Sequence, residues 1–89
     1  MEFFGQIKHI GETENFTVGN RDITTRDIVV TTDEQYPRSA SFTLRNDLAQ
    51  SFSYHIGQRV RVDFDIDARP NRDGSRYFNQ LKAWRVTPC

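Results

Sequence analysis

The chain is predicted to fold as an all-β domain with one short helix, on three observations. Hydrophobicity alternates with period two through most of its length, a single segment departs from that period, and turn-forming residues separate the alternating runs. The clearest run is Arg59-Val60-Arg61-Val62-Asp63-Phe64-Asp65-Ile66-Asp67, apolar at every even position and charged at every odd one. In a strand this gathers the apolar side chains on one face and the charged ones on the other; a helix would scatter them around its circumference.

The first strand is expected over Glu2 to Ile10, with Phe3, Gly5 and Ile7 on one face. A glycine inside a strand marks a bulge or a close backbone approach, and Gly5 is read that way. Gly11 to Asn20 reads as a long polar loop. Ile28 and Val30 belong to a β-branched run from Thr24 to Thr32, and Ala40, Phe42 and Leu44 alternate with Ser39, Ser41, Thr43 and Arg45. The polar, proline-containing stretch Asp33-Glu34-Gln35-Tyr36-Pro37 joins these two as a hairpin loop. From Asn46 to Gly57 the period changes: Leu48, Phe52 and Ile56 are spaced by four, Asn46 or Asp47 can cap the start and Gly57 the end, which predicts a helix of two turns or so. The Arg59 strand follows, then the turn Pro70 to Ser75, then a last strand from about Arg76 to Val86. The order is β-β-β-α-β-β, that of a five-stranded OB-fold barrel, whose first and fourth inter-strand loops flank its binding face. Residues 1–89 make one such domain.

Hairpin pairing assigns faces. With Val30 opposite Ala40, Ile28 meets Phe42 and Arg26 meets Leu44, leaving Asp27, Val29, Thr31, Ser39, Ser41 and Thr43 outside, a small hydroxylated face without an aromatic ring. In the last hairpin, Phe64 opposite Leu81 and Val62 opposite Ala83 give a consistent interior. The outward pairs are then Asp63–Lys82, Asp65–Gln80, Asp67–Phe78 and Arg61–Trp84, with a cation–π contact expected in the last. Phe78, Trp84 and Val86 form an outward apolar stripe. A subunit interface, a stacking platform and cover by the chain's own ends all account for it, and a homodimer is favoured because apolar edge strands invite pairing.

Twelve basic residues balance twelve acidic ones, whereas a domain that coats nucleic acid by charge alone is far more basic. The neutrality is uneven: net charge is −4 over residues 1–37, +3 over 38–61, −3 over 62–68 and +4 over 69–89. Local field matters more than the total for binding an anion. Cys89 is the only cysteine, so no intrachain disulfide can form, which suits a reducing compartment. With no signal peptide and no long apolar run, the protein is expected to be soluble and cytoplasmic, with no membrane partner.

Asp63, Asp65 and Asp67 match the opening of a calcium loop, but Ala68 and Gly74 stand where that loop needs glycine and glutamate, so no metal is expected. His9 and His55 are isolated, no serine has a nucleophile-elbow context, and no glycine-rich phosphate loop occurs. Catalysis and a cofactor are not expected. What remains is a set of basic residues interleaved with aromatics near the loops. Arg69, Arg72, Arg76, Tyr77 and Phe78 flank the fourth loop, Phe16, Asn20 and Arg21 the first, and Tyr36 and Arg38 the second hairpin. Arginines neutralise phosphates and aromatic rings stack on any base.

Short segments resemble a small, functionally uncharacterised bacterial family of OB-fold proteins: Gly5-Gln6-Ile7-Lys8-His9-Ile10, Asp33-Glu34-Gln35-Tyr36-Pro37, Ile56-Gly57-Gln58-Arg59-Val60-Arg61-Val62 and Leu81-Lys82-Ala83-Trp84-Arg85-Val86. More distantly, Arg76-Tyr77-Phe78-Asn79-Gln80-Leu81 is similar to the last-strand region of bacterial single-stranded-DNA-binding proteins. These resemblances imply an OB barrel and nucleic-acid binding, and bring no catalytic residue. The expectation is a non-catalytic module that binds single-stranded DNA or RNA, with phosphates on Arg21, Arg38, Arg72 and Arg76 and bases on Tyr36, Tyr77, Phe78 and Trp84. The alternative is a protein-interaction or assembly module using the outer face of the C-terminal hairpin.

Overall fold

The computed structural model describes all residues from 1 to 89. It contains β1 (Glu2–Ile10), β2 (Glu14–Val18), β3 (Arg21–Thr31), β4 (Ser39–Arg45), α1 (Asp47–Gln50), β5 (Arg59–Pro70) and β6 (Tyr77–Pro88). β1 pairs antiparallel with both β5 and β3, β3 with β4, and β5 with β6, while β4 and β6 run parallel. These five strands close into a barrel-like ring, in agreement with the predicted fold class, and β2 is appended outside it on β3.

β2 corrects the expectation of a polar loop over Gly11 to Asn20. Phe16 and Val18 alternate with polar residues, and Gly19 takes a φ of 62° between Val18 and Arg21, as a two-residue hairpin turn requires. All of its residues are exposed, so no apolar burial advertised the strand.

The predicted interior is largely as read. Ile7, Ile28, Val30, Phe42, Leu44, Val60 and Val62 are wholly buried, joined by Phe64, Ala83 and Ala49. The β3–β4 register matches the expected pairing, from Arg26 opposite Leu44 to Val30 opposite Ala40. Phe42 packs edge-to-face against Phe3 and Phe64, with ring centroids 5.4 and 5.0 Å apart. Gly5 is a close approach: a Cβ there would overlap the Thr31 carbonyl group, where β1 passes between β5 and β3. The bulge in β1 falls later, between Ile7 and His9.

The helix is shorter than predicted, a single turn. Asn46 does not cap it with its side chain; that amide oxygen instead accepts the Thr24 N–H at 3.4 Å. The Ser51 hydroxyl donates to the Asp47 carbonyl at 2.6 Å and competes for the helical backbone acceptor. Beyond it the chain has no regular structure until the turn at Ile56-Gly57; Phe52 and Tyr54, two residues apart, both pack against the core, and Ile56 is exposed.

The β5–β6 register also differs from the expected one. The turn between Asn71 and Arg76 is closed by a backbone bond of 2.8 Å and by Ser75 bonded to Asp73 and Asn71, which places Pro70 opposite Tyr77. Phe64 therefore faces Ala83 and Ile66 faces Leu81, a slip of two residues that preserves which face is inside. Ile66 lies towards the protruding end of the hairpin and is 49 % exposed. Nearer the chain terminus, Ala83 faces Phe64 and Arg85 faces Asp63, which leaves Trp84 as the extra residue of a bulge. That one residue returns Val86 to the core and turns Arg85 out. The expected outward stripe of Phe78, Trp84 and Val86 is thereby broken.

Asp63, expected on the wet face beside Lys82, is buried. Its carboxylate accepts bonds from Arg61 Nη2 at 3.1 Å and Arg85 Nε at 3.1 Å. Arg61 also reaches Glu2 at 2.8 Å and lies over the Phe4 ring, while Arg85 lies over Trp84, so the expected Arg61–Trp84 contact is replaced by two others. Burial pushes the Asp63 carboxyl up, but the hydrogen bonds and charges of Arg85 and Arg61 outweigh it and hold the group below the usual carboxylate range.

Two outcomes follow. Gly5→Ala lowers stability in urea unfolding by about 2–3 kcal/mol, because the overlap is with backbone that cannot rotate away. Since the Asp63 value is lower folded than unfolded, its contribution is complete above about pH 4 and is lost as pH falls through the folded value. Asp63→Asn is therefore less stable than wild type at pH 7, and the gap between their melting temperatures narrows below pH 4.

Candidate functional site

Strand alternation and cross-strand partnership build a second, outward surface from β2 to β5. Phe16 faces Ile23, Val18 faces Arg21, and Glu14 faces Thr25 across β2 and β3. Thr25 and Asp27 face Arg45 and Thr43 on β4, Thr43 adjoins Lys82 on β6, and Gln80 and Phe78 face Asp67 and Arg69 on β5. These rows enclose a groove of about 360 Å³ lined by Phe16, Val18, Ile23, Thr25, Thr43, Arg45, Arg69, Gln80 and Lys82. Three of the lining residues are cations and none is an acid.

Local contacts hold this surface. Thr24, buried beneath it, donates its hydroxyl to Asn15 at 2.7 Å and accepts the Gln50 amide at 3.2 Å, tying β2 and α1 to β3. Thr43 donates to Asp27 at 3.0 Å and accepts from the Gln80 amide at 3.4 Å, bridging the short parallel contact of β4 and β6. Lys82 lies 2.9 Å and Arg69 3.5 Å from the same Asp67 oxygen. The Lys82 hydrogen bond and charge, with Arg69 beyond, hold the Asp67 carboxyl below its usual range. Arg21 and Arg45 form no ion pair, so their charge is directed to solvent.

Of the residues singled out in the sequence, Arg21 and Phe78 border this groove through their partners Val18 and Arg69. Arg72 and Arg76 occupy the exposed turn of the β5–β6 hairpin, and Tyr77 begins β6 opposite Pro70. Trp84 is in the bulge near Arg85. Tyr36 and Arg38 lie in the β3–β4 loop. Arg38 pairs with Glu34 and lines a different cavity of about 480 Å³, with Glu2, Asp33 and Arg59, which shares no residue with the groove. The structure thus does not gather all eight into one surface.

Sequence reasoning passed over Arg45, Lys82, Thr25 and Ile23. The Gly19-Asn20 turn was the available signal: once it pairs Phe16 with Ile23, β2 extends the β3–β4 face into a wall for these side chains. The three aspartates that resembled a calcium loop are dispersed: Asp63 is held by arginines, Asp67 by Lys82 and Arg69, and Asp65 is exposed. No helix is long and apolar enough to cross a membrane.

No curated protein matches the chain. A family model described as a domain of unknown function, DUF3127, matches residues 2–87. That match takes in the strands of the ring to within one residue of the end of β6, and the chain belongs to the DUF3127 family.

Proposed function

We propose that this domain is a non-catalytic module that binds single-stranded nucleic acid along the β2–β3–β4–β6–β5 groove with low sequence specificity. The observation that carries the reading is the groove lining: Arg45, Arg69 and Lys82 around Phe16, with no acid among them. In OB barrels the face and loops in this position accept oligonucleotides. Arg21, Arg45 and Arg69 neutralise phosphates, Phe16 and Phe78 offer ring faces for base stacking, and Thr25 and Gln80 supply hydrogen bonds. Arg72, Arg76 and Tyr77 extend the path along the hairpin turn. Tyr36, Arg38 and Trp84 lie off this path and belong to it only if the strand wraps around the barrel.

The similarity of Arg76 to Leu81 to the last strand of single-stranded-DNA-binding proteins supports the same reading. Its neutral composition points to modest affinity, since Lys82 and Arg69 share Asp67. The single cysteine, exposed and unpaired, is in keeping with a role in the reducing cytoplasm.

Titration of a fluorescent oligothymidylate at low salt tests the reading. Affinity falls steeply with added salt, and each of Arg45→Ala and Arg69→Ala flattens the logarithmic salt slope by about 0.7. Phe16→Ala weakens binding by about 1–3 kcal/mol, as loss of one stacked base does. Replacing Arg72 and Arg76 together by alanine also flattens the slope. Absence of binding at micromolar protein removes the proposal.

A further inference from the structure

β2 closes the strand order on one side and has β3 as its only neighbour. Its far edge is open, and although it is short and carries one charge, Glu14, it has no proline, no lysine and no register shift to block pairing. Val18 and Arg21 pair across a two-residue turn, the position at which a hairpin of this length exchanges both backbone bonds. By the antiparallel alternation, Asn15 and Thr17 then direct their N–H and C=O groups away from β3. We propose that this edge pairs antiparallel with β2 of a second copy of the chain, about a two-fold axis at Phe16.

The side chains select this occupant because the segment is complementary to itself. In the two-fold register Phe16 lies opposite the partner's Phe16, and Thr17 opposite the partner's Asn15, so each Thr17–Asn15 pair exchanges both backbone hydrogen bonds. The Phe16 pair is then of the non-hydrogen-bonded kind, in which side chains approach most closely. On the groove face this gives an apolar row of Ile23, Phe16, the partner's Phe16 and the partner's Ile23. Beside it run Arg21, Val18, the partner's Glu14 and the partner's Thr25. Glu14, the only charge on β2, thus lies roughly 10 Å in backbone spacing from the unpaired Arg21 of the other copy, within reach of the two side chains. On the reverse face Asp22, Thr17, the partner's Asn15 and the partner's Thr24 align, again with no like charges opposed.

This interface differs from the one expected at the C-terminal hairpin, where the burial of Val86 breaks the stripe. It forms without nucleic acid, and because the partner's Glu14 reaches Arg21, it leaves Arg45 and Arg69 as the groove cations open to phosphate. Edge pairing leaves the grooves open and makes them continuous across the axis, doubling the surface a strand of ligand can follow. An edge contact of five residues is small, so association is weak and concentration-dependent.

Sedimentation velocity from micromolar to millimolar protein, without nucleic acid, reads the equilibrium. Amide hydrogen exchange on wild type reads the location. The expected result is a shift from monomer to dimer with concentration, together with slower exchange at Asn15 and Thr17. Thr17→Pro removes one outward N–H at a position where an edge strand tolerates proline, and raises the dissociation constant at least tenfold. A wild-type protein that stays monomeric at millimolar concentration overturns the proposal. So does a dimer in which the Asn15 and Thr17 amides exchange equally fast at all concentrations. The exchange measurement decides the matter even where Thr17→Pro fails to fold.

Discussion

The barrel depends on the passage of one strand between two others. β1 pairs with β5 through its first half and with β3 through its second, and Gln6 has a partner on both sides, Arg59 and Thr31. The exchange of partners brings the Gly5 backbone against the Thr31 carbonyl, where no side chain fits. With β1 seated there, the main sheet edges meet and the ring is closed. Ile7 reaches the interior beside Val30, and the bulge after it lets the strand follow β3 without losing its apolar face.

Charge is distributed by the same architecture. On one side of the molecule Asp63 gathers Arg61 and Arg85, Glu2 takes the remaining reach of Arg61, and Phe4 and Trp84 cover the guanidinium planes. These cations are structural. Arg38 and Arg59 are likewise matched by Glu34 and Asp33. The arginines left without an acid include Arg21 and Arg45 at the groove and Arg72 and Arg76 on the hairpin turn. An electrically neutral chain therefore presents unevenly committed charge, and the total is a poor guide to its local field.

The sequence made the interior legible because burial and period coincide there: Val60, Val62 and Phe64, or Phe42 and Leu44, can satisfy alternation only by facing inward together. It was less explicit where one residue changes the phase. Trp84 is indistinguishable by pattern from an ordinary outward residue, yet as a bulge it decides that Val86 is inside and Arg85 outside. The four-residue spacing of Leu48, Phe52 and Ile56 suggested helix, but the Ser51 hydroxyl takes the Asp47 carbonyl, the helix ends after one turn, and Phe52 and Tyr54 both pack inward while Ile56 does not. The surface groove was the hardest part to foresee. Its members come from five strands, and Arg45 and Lys82 become neighbours of Phe16 only after the ring has closed and β2 has folded back on β3. Arg21 and Phe78 could be chosen by residue type near a turn, whereas their neighbours required the three-dimensional register.

The closure of the ring also sets how quickly the chain can find its shape. The β5–β6 and β3–β4 hairpins join residues near in sequence and can zip early, but β1 meets β5 with Glu2 opposite Asp63. Such a contact brings distant parts of the chain together before their packing can compensate for the lost freedom. The assembly of this barrel is accordingly governed by its most remote strand pairing, on the millisecond-to-second timescale usual for β topologies of high contact order, and not by the local hairpins.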